Sequence, residues 1–191
     1  MLNQPYELKH LSDDHRESMR RLMLEELLWS SRHNKIYASK HLTALGVERY
    51  PELLQHALAG GSPDSLCDSL DAPGLWQPGA PKNSIETFAW DEFNKHYMRA
   101  LCRIAQDSPQ HALIVLRARQ SRSHRGSSDA RINQPRSPAT FLQQLRVQPA
   151  INPFGANSGL TLTLHKIAND SRQLARSRKR TETFPLPWQS V

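Results

Sequence analysis

The residues of this chain best placed to do chemistry are arginines. Arg117, Arg119, Arg122, Arg125, Arg131 and Arg136, with His124 among them, fall between one apolar run and the next, where acidic residues are almost absent. A guanidinium stays charged at any ordinary pH and presents a planar fork of donors that matches two phosphate oxygens at once. A row of such groups releases counterions from a phosphate backbone, which favours binding to any polyanion. The basic run Arg176, Arg178, Lys179 and Arg180 near the end of the chain adds to the same field. A bland alternative stands beside this reading: a solvated loop whose arginines touch nothing in particular.

The charge balance along the chain favours the first reading. Residues 1–107 carry 12 Lys and Arg against 15 Asp and Glu, and residues 108–191 carry 13 against 3, which together give the net +7 of the whole. Such asymmetry between halves points toward nucleic acid or another polyanion.

Other candidates are weaker. His33, Lys35 and His41 form a polar cluster with Ser30, Ser31 and Arg32 just before it. A cluster of this kind holds a phosphate or supplies a general base, or is simply a loop with capping groups. Glu92 and His96 stand at i and i+4 on one helix face, but two ligands do not make a metal site and no third accompanies them. Surface pairing is the better account, and no metal is expected. The chain contains no G-x-S-x-G, no G-x-x-x-x-G-K-[ST] and no G-x-G-x-x-G, so neither a serine nucleophile nor a bound nucleotide cofactor is predicted. The segment Gly155-Ala-Asn-Ser-Gly159 points backbone N–H groups at an anion or, more commonly, makes a tight turn into a strand. Phe184-Pro-Leu-Pro-Trp188 reads as a docking peptide or as a segment that folds back on the core.

These groups are positioned by elements of both kinds. Ser12 is a natural N-cap for a helix whose Met19, Leu22, Met23 and Leu27 recur at helical spacing. A short helix is expected over 39–45, stopping at Gly46. Another is expected from Pro51, with Leu53, Leu54, Ala57 and Leu58 inward, ending at Gly60 and Gly61. A helix-turn-helix across Tyr37 to Leu58, with Gly46-Val47 at its turn, is the alternative, and Leu42 and Pro51 both fit it poorly. Ser62-Pro63 restarts a short helix, and 72–83 is a loop. Residues 84–106 carry the longest helical pattern, with Phe93, Tyr97, Leu101 and Ile104 as its core stripe and Trp90 close by. The period changes at 111–119, an apolar run rich in β-formers and hence a strand. Residues 120–136 read as a long basic loop, Ser137-Pro138 opens a helix with Phe141, Leu142 and Leu145 inward, and Leu160, Leu162 and Leu164 alternate with Thr161, Thr163 and His165 as a half-buried strand.

The expected fold class is therefore α+β: a helical N-terminal part packed with a small sheet of two or more strands in the C-terminal part. Residues 1–168 form one domain and 169–191 a basic tail. The 191 residues contain no run approaching the roughly 20 apolar residues of a membrane span. There is no secretory pattern at the N-terminus, and Cys67 and Cys102 are too few for a disulfide framework. A cytoplasmic protein without a membrane partner follows. The leading expectation is a nucleic-acid-binding protein, DNA or RNA, working through its Arg-rich C-terminal surface. The alternatives are a non-catalytic subunit that uses the same surface on an acidic protein partner, and an enzyme acting on a phosphorylated substrate with His33, His41 or His124 as acid or base.

Overall fold

A computed structural model describes residues 13–108, 111–119, 126–155 and 158–166. Among these, six helices and three strands form an α+β fold in the order α1 (Asp13–Arg32), α2 (Ala44–Gly60), α3 (Pro63–Leu70), α4 (Ser84–Asp107), β1 (His111–Arg117), α5 (Gly126–Asp129), β2 (Pro135–Arg136), α6 (Pro138–Val147) and β3 (Leu160–Lys166). Helix α4 is the axis of the molecule, packed by α1, α2, α3 and α6 and by strands β1 and β3. The expected Ser12 cap lies outside the described residues.

The stripe Met19, Leu22, Met23 and Leu27 of α1 is buried as its spacing requires, and Leu54, Leu58, Leu66 and Leu70 of α2 and α3 are wholly buried. Each such side chain contributes about 1.5–3 kcal/mol by leaving water. Helix α3 is fixed at its start by a reciprocal capping box between Ser62 and Ser65.

Two helices were expected to break between Gly46 and Pro51; the structure has one. Thr43 is the N-cap, its side chain accepting from the Gly46 N–H at 3.0 Å, and the helix then runs unbroken from Ala44 to Gly60. Gly46 is a packing residue and not a stop: a Cβ there would sit 2.2 Å from the Leu75 carbonyl oxygen. Pro51 lies inside the helix. Its missing N–H orphans the Val47 carbonyl, which is tolerable because Val47 is 47% exposed. The helix-turn-helix alternative falls with the break.

The sheet is antiparallel in the order β2-β1-β3. Strand β1 pairs β3 from His111↔Lys166 to Arg117↔Leu160 and pairs β2 at Leu113↔Arg136. This register places Leu113 and Val115 beside Leu164 and Leu162, and all but the half-buried Leu164 are fully within the core. Thr161, expected on the solvated face, is buried, its hydroxyl donating to Asn94 Oδ1 at 2.5 Å. The second half of the expected 120–136 loop is structured. Residues 126–129 form a helical turn, and Asn133 and Gln134 exchange backbone bonds with Val115 at 2.8 and 3.0 Å, closing a hairpin onto β1.

Candidate nucleic-acid interface

The arginines of the basic segment divide into two groups. Arg117 and Arg119 are half-buried and neutralised within the fold. Arg117 Nη2 donates to Asp129 Oδ1 at 2.5 Å and its Nη1 to the Ser158 carbonyl at 3.1 Å. Arg119 pairs with Glu86, and its guanidinium lies 5.0 Å from the Trp90 ring centroid. These contacts tie β1 to α5, to the 158 turn and to α4, so both side chains have structural work.

Arg131 and Arg136 face the same groove. Its volume is about 510 Å³, and Gln134, Ser137, Thr140 and Gln144 complete its polar lining over a floor that includes Phe141 and Phe154. Arg131 is oriented by a 3.2 Å bond from Nη1 to the Pro153 carbonyl, and Arg136 by a 3.2 Å bond from Nη2 to Gln134 Oε1. Both anchors are neutral acceptors, and among the described residues neither cation is offset by a carboxylate and none lines the groove. Arg136 Nε has no partner among the described residues. Helix α6 begins at the same place. Ser137 makes no side-chain capping bond, its oxygen instead accepting from Thr140 Oγ1 at 3.2 Å. Pro138 has no N–H, and the Ala139 and Thr140 N–H groups at the positive end of the helix dipole receive no cap from the Ser137 side chain. A second groove of about 490 Å³ continues along α6 past Gln143, Val147, Gln148 and Ile151, again with no carboxylate among the described residues that line it.

Helix α4 positions this face with side chains that sequence reasoning missed. Asn94 donates to the Leu160 carbonyl at 2.9 Å, Arg99 Nη2 to the Leu145 carbonyl at 2.5 Å, and Lys95 to the Pro149 carbonyl. Asn152 Nδ2 reaches Asp91 Oδ1 at 3.0 Å. Four consecutive points along 145–160 are thereby captured from one helix. Asn94, Lys95, Arg99 and Asn152 are buried and Asp91 is half-buried, and this environment is visible in the acidity of the helix's titratable groups. Burial lifts the Asp91 carboxyl to about 6 against the opposing bond from Asn152 and the charge of Lys95. Burial, and then the neighbouring Arg99 charge, hold the His96 imidazole down at about 3, so it stays neutral. Glu92 is paired with Lys95 and accepts from the Tyr50 hydroxyl at 3.1 Å. The Glu92 and His96 face is therefore internal, and no group of three or more His, Cys, Asp or Glu suited to a metal occurs among the described residues.

The His33, Lys35 and His41 cluster does not assemble. His33 stacks on Trp29 at 4.3 Å between centroids, with its Nδ1 2.7 Å from the Trp29 carbonyl. Lys35 is exposed, and His41 lies on the 39–43 segment with its backbone bonded to Ser39 and Gln77. His33 does line a groove of about 480 Å³ between α1, α4 and α6, where Arg103 and Arg146 occur with Glu25 and Glu26. There the arginines are already satisfied. Arg146 grips Glu26 with two bonds of 2.5 and 3.0 Å and lies over the Trp29 ring, and Arg103 donates to Glu25 at 2.7 Å.

Arg122, His124 and Arg125, the run Arg176, Arg178, Lys179 and Arg180, and the 184–188 peptide lie outside the described residues. No helix among the described residues is long and apolar enough to cross a membrane. Compared with protein-family models, with curated proteins and with solved structures, the chain matches none of them.

Proposed function

We propose that the protein binds nucleic acid, with the groove between the 131–137 segment and α6 as its principal phosphate contact. The observation that carries the reading is the meeting of Arg131 and Arg136 in one carboxylate-free groove at the start of α6. Two forked cations held by neutral acceptors, beside uncapped helix N–H groups, suit a phosphate oxygen far better than a carboxylate-balanced cluster does. The +10 balance of residues 108–191 in the sequence accords with a polyanionic partner.

The experiment is fluorescence-polarisation binding of the full chain to labelled single- and double-stranded DNA and RNA at low salt. Saturable binding that weakens in Arg131→Ala/Arg136→Ala supports the reading. Absence of binding to all four refutes it. Recovery of an acidic protein whose association survives nuclease treatment would then favour the accessory-subunit alternative.

A further inference from the structure

Among the described residues α6 is the one helix that contains no acidic residue. Exposed positions on α1 and α2 carry Glu17, Arg21, Glu48, Arg49 and Glu52, charged groups that there accompany the exposed apolar Leu28, Leu45 and Val47. On α6 the exposed positions are Ala139, Thr140, Gln143, Gln144 and Val147, and the helix contains no acidic residue. Its one charged residue, Arg146, is turned inward to Glu26 and Trp29. Thr140, Gln144 and Val147 follow one another at helical spacing, so amides and methyl groups form a continuous strip. Val147 and the neighbouring Ile151 are 60% and 54% exposed.

The helix is also held rigidly from behind. Phe141, Leu142 and Leu145 are buried, and Arg99 fixes the last turn through the Leu145 carbonyl. Ten residues give a rod of about 15 Å at 1.5 Å per residue. The groove holding Arg131 and Arg136 shares Thr140, Gln144 and Pro153 with the groove that runs along the strip. Cations therefore flank the N-terminal end of a neutral, hydrogen-bonding face.

We infer that α6 is a recognition element that enters the major groove of double-helical DNA, with Gln143 and Gln144 reading base edges while Arg131 and Arg136 hold the flanking phosphates. This rests on the nucleic-acid reading above and narrows it. A Gln amide both donates and accepts, which matches the N6 and N7 edge of adenine, and exposed Val and Ile methyls suit the thymine methyl beside it. The major groove of B-DNA is about 12 Å wide and admits a helix, whereas that of A-form RNA is too narrow for side-chain readout. Single strands are bound chiefly by stacking on exposed aromatic rings. The α6 strip offers none, since Phe141 and Phe154 are each only 5% exposed.

The test is selection from a randomised duplex DNA library by the full chain, followed by polarisation binding of the enriched duplex, a scrambled duplex, its single strand and the matching RNA duplex. The expected result is an enriched motif containing adenine, bound at least about tenfold more tightly than the RNA duplex. Gln143→Ala/Gln144→Ala should weaken binding to the enriched duplex about tenfold or more while leaving the scrambled duplex and the salt dependence unchanged. These exposed positions are open to alanine without a folding defect, which thermal melting verifies. If the double variant binds the enriched duplex as tightly as the parent does, or if RNA duplex and single strand bind as well as DNA duplex, the inference is overturned. The phosphate-groove reading then stands or falls separately on the Arg131 and Arg136 variants. No enrichment despite firm DNA binding also overturns base readout by α6.

Discussion

Removing the Arg146 guanidinium should expose how α6 is fastened to the rest of the molecule. Glu26 is 0% exposed and receives two bonds from Arg146, at 2.5 and 3.0 Å, while the side chain of Arg146 is 28% exposed. Arg146→Met keeps the apolar stem against Trp29 but strands a buried carboxylate, with Arg103 as the nearest remaining cation at 3.7 Å. Breaking a buried pair from one side costs about 3–5 kcal/mol, and the residual attraction of Arg103 places this case near 3. For a domain of this size that is a fall in Tm of about 6–12 °C. Replacing both partners with apolar residues of similar volume, Glu26→Leu/Arg146→Met, removes the stranded carboxylate and should recover part of the loss, the rest remaining because the buried Arg99 loses the Glu26 charge. Urea unfolding of the parent, the two single variants and the double variant measures the cycle. A coupling of about 2 kcal/mol or more is expected. If Arg146→Met costs under about 1 kcal/mol, or if the two single losses simply add, the claim that this pair anchors α6 is wrong.

Further outcomes follow from the same contacts. Gly159 has φ +67, and a Cβ there would lie 2.1 Å from the rigid Arg119 carbonyl oxygen. Gly159→Ala should therefore cost about 2–4 kcal/mol in urea unfolding. Gly155, at φ +90 but facing nothing within 4 Å, should lose only the backbone strain of about 1–2 kcal/mol when changed to Ala. Because the Asp91 carboxyl is raised from 3.8 to about 6, between those values the folded protein keeps a proton that the unfolded chain has released. Its contribution to stability accordingly falls as pH rises across that window. His96, held down at about 3, contributes the opposite slope over the same window, so Asp91→Asn should make stability change more positively with rising pH than in the parent, and identical slopes would contradict the assignment. Burial pushes the Cys102 thiol up to about 12, whereas Cys67 is only half-buried and its thiol is raised less. A thiol-specific dye should label Cys67 first and Cys102 only on unfolding, as peptide mapping would record.

Much of the fold was legible from periodicity, because burial imposes it. The Met19 to Leu27 stripe, the capped start of α3 at Ser62, the Phe141, Leu142 and Leu145 triad and the leucine alternation in β3 all announce a single buried face. The 39–58 region misled because Gly46 and Pro51 are punctuation marks in isolation. Their meaning here is set by the Leu75 carbonyl pressed against Gly46 and by solvent at Val47, neither of which is local in sequence. The polar spine of α4 was hidden for a related reason. Asn94, Lys95 and Arg99 flank the apolar stripe just as solvated residues would, and only the chain arriving at 145–160 makes them internal. At the candidate site, charge alone grouped Arg117, Arg119, Arg131 and Arg136 together. Tertiary partners separate them, since Asp129 and Glu86 meet the first two while neutral oxygens hold the last two.

The most direct test of the phosphate groove is the salt dependence of duplex DNA binding by the full chain and by Arg131→Ala/Arg136→Ala. Each lost phosphate contact lowers the slope of log K against log salt by about 0.9 in magnitude. The double variant is therefore predicted to bind more weakly at every salt concentration, with a slope shallower by about 1.8. An unchanged slope and affinity in the double variant, or a parent protein that binds neither DNA nor RNA even at low salt, would contradict the account.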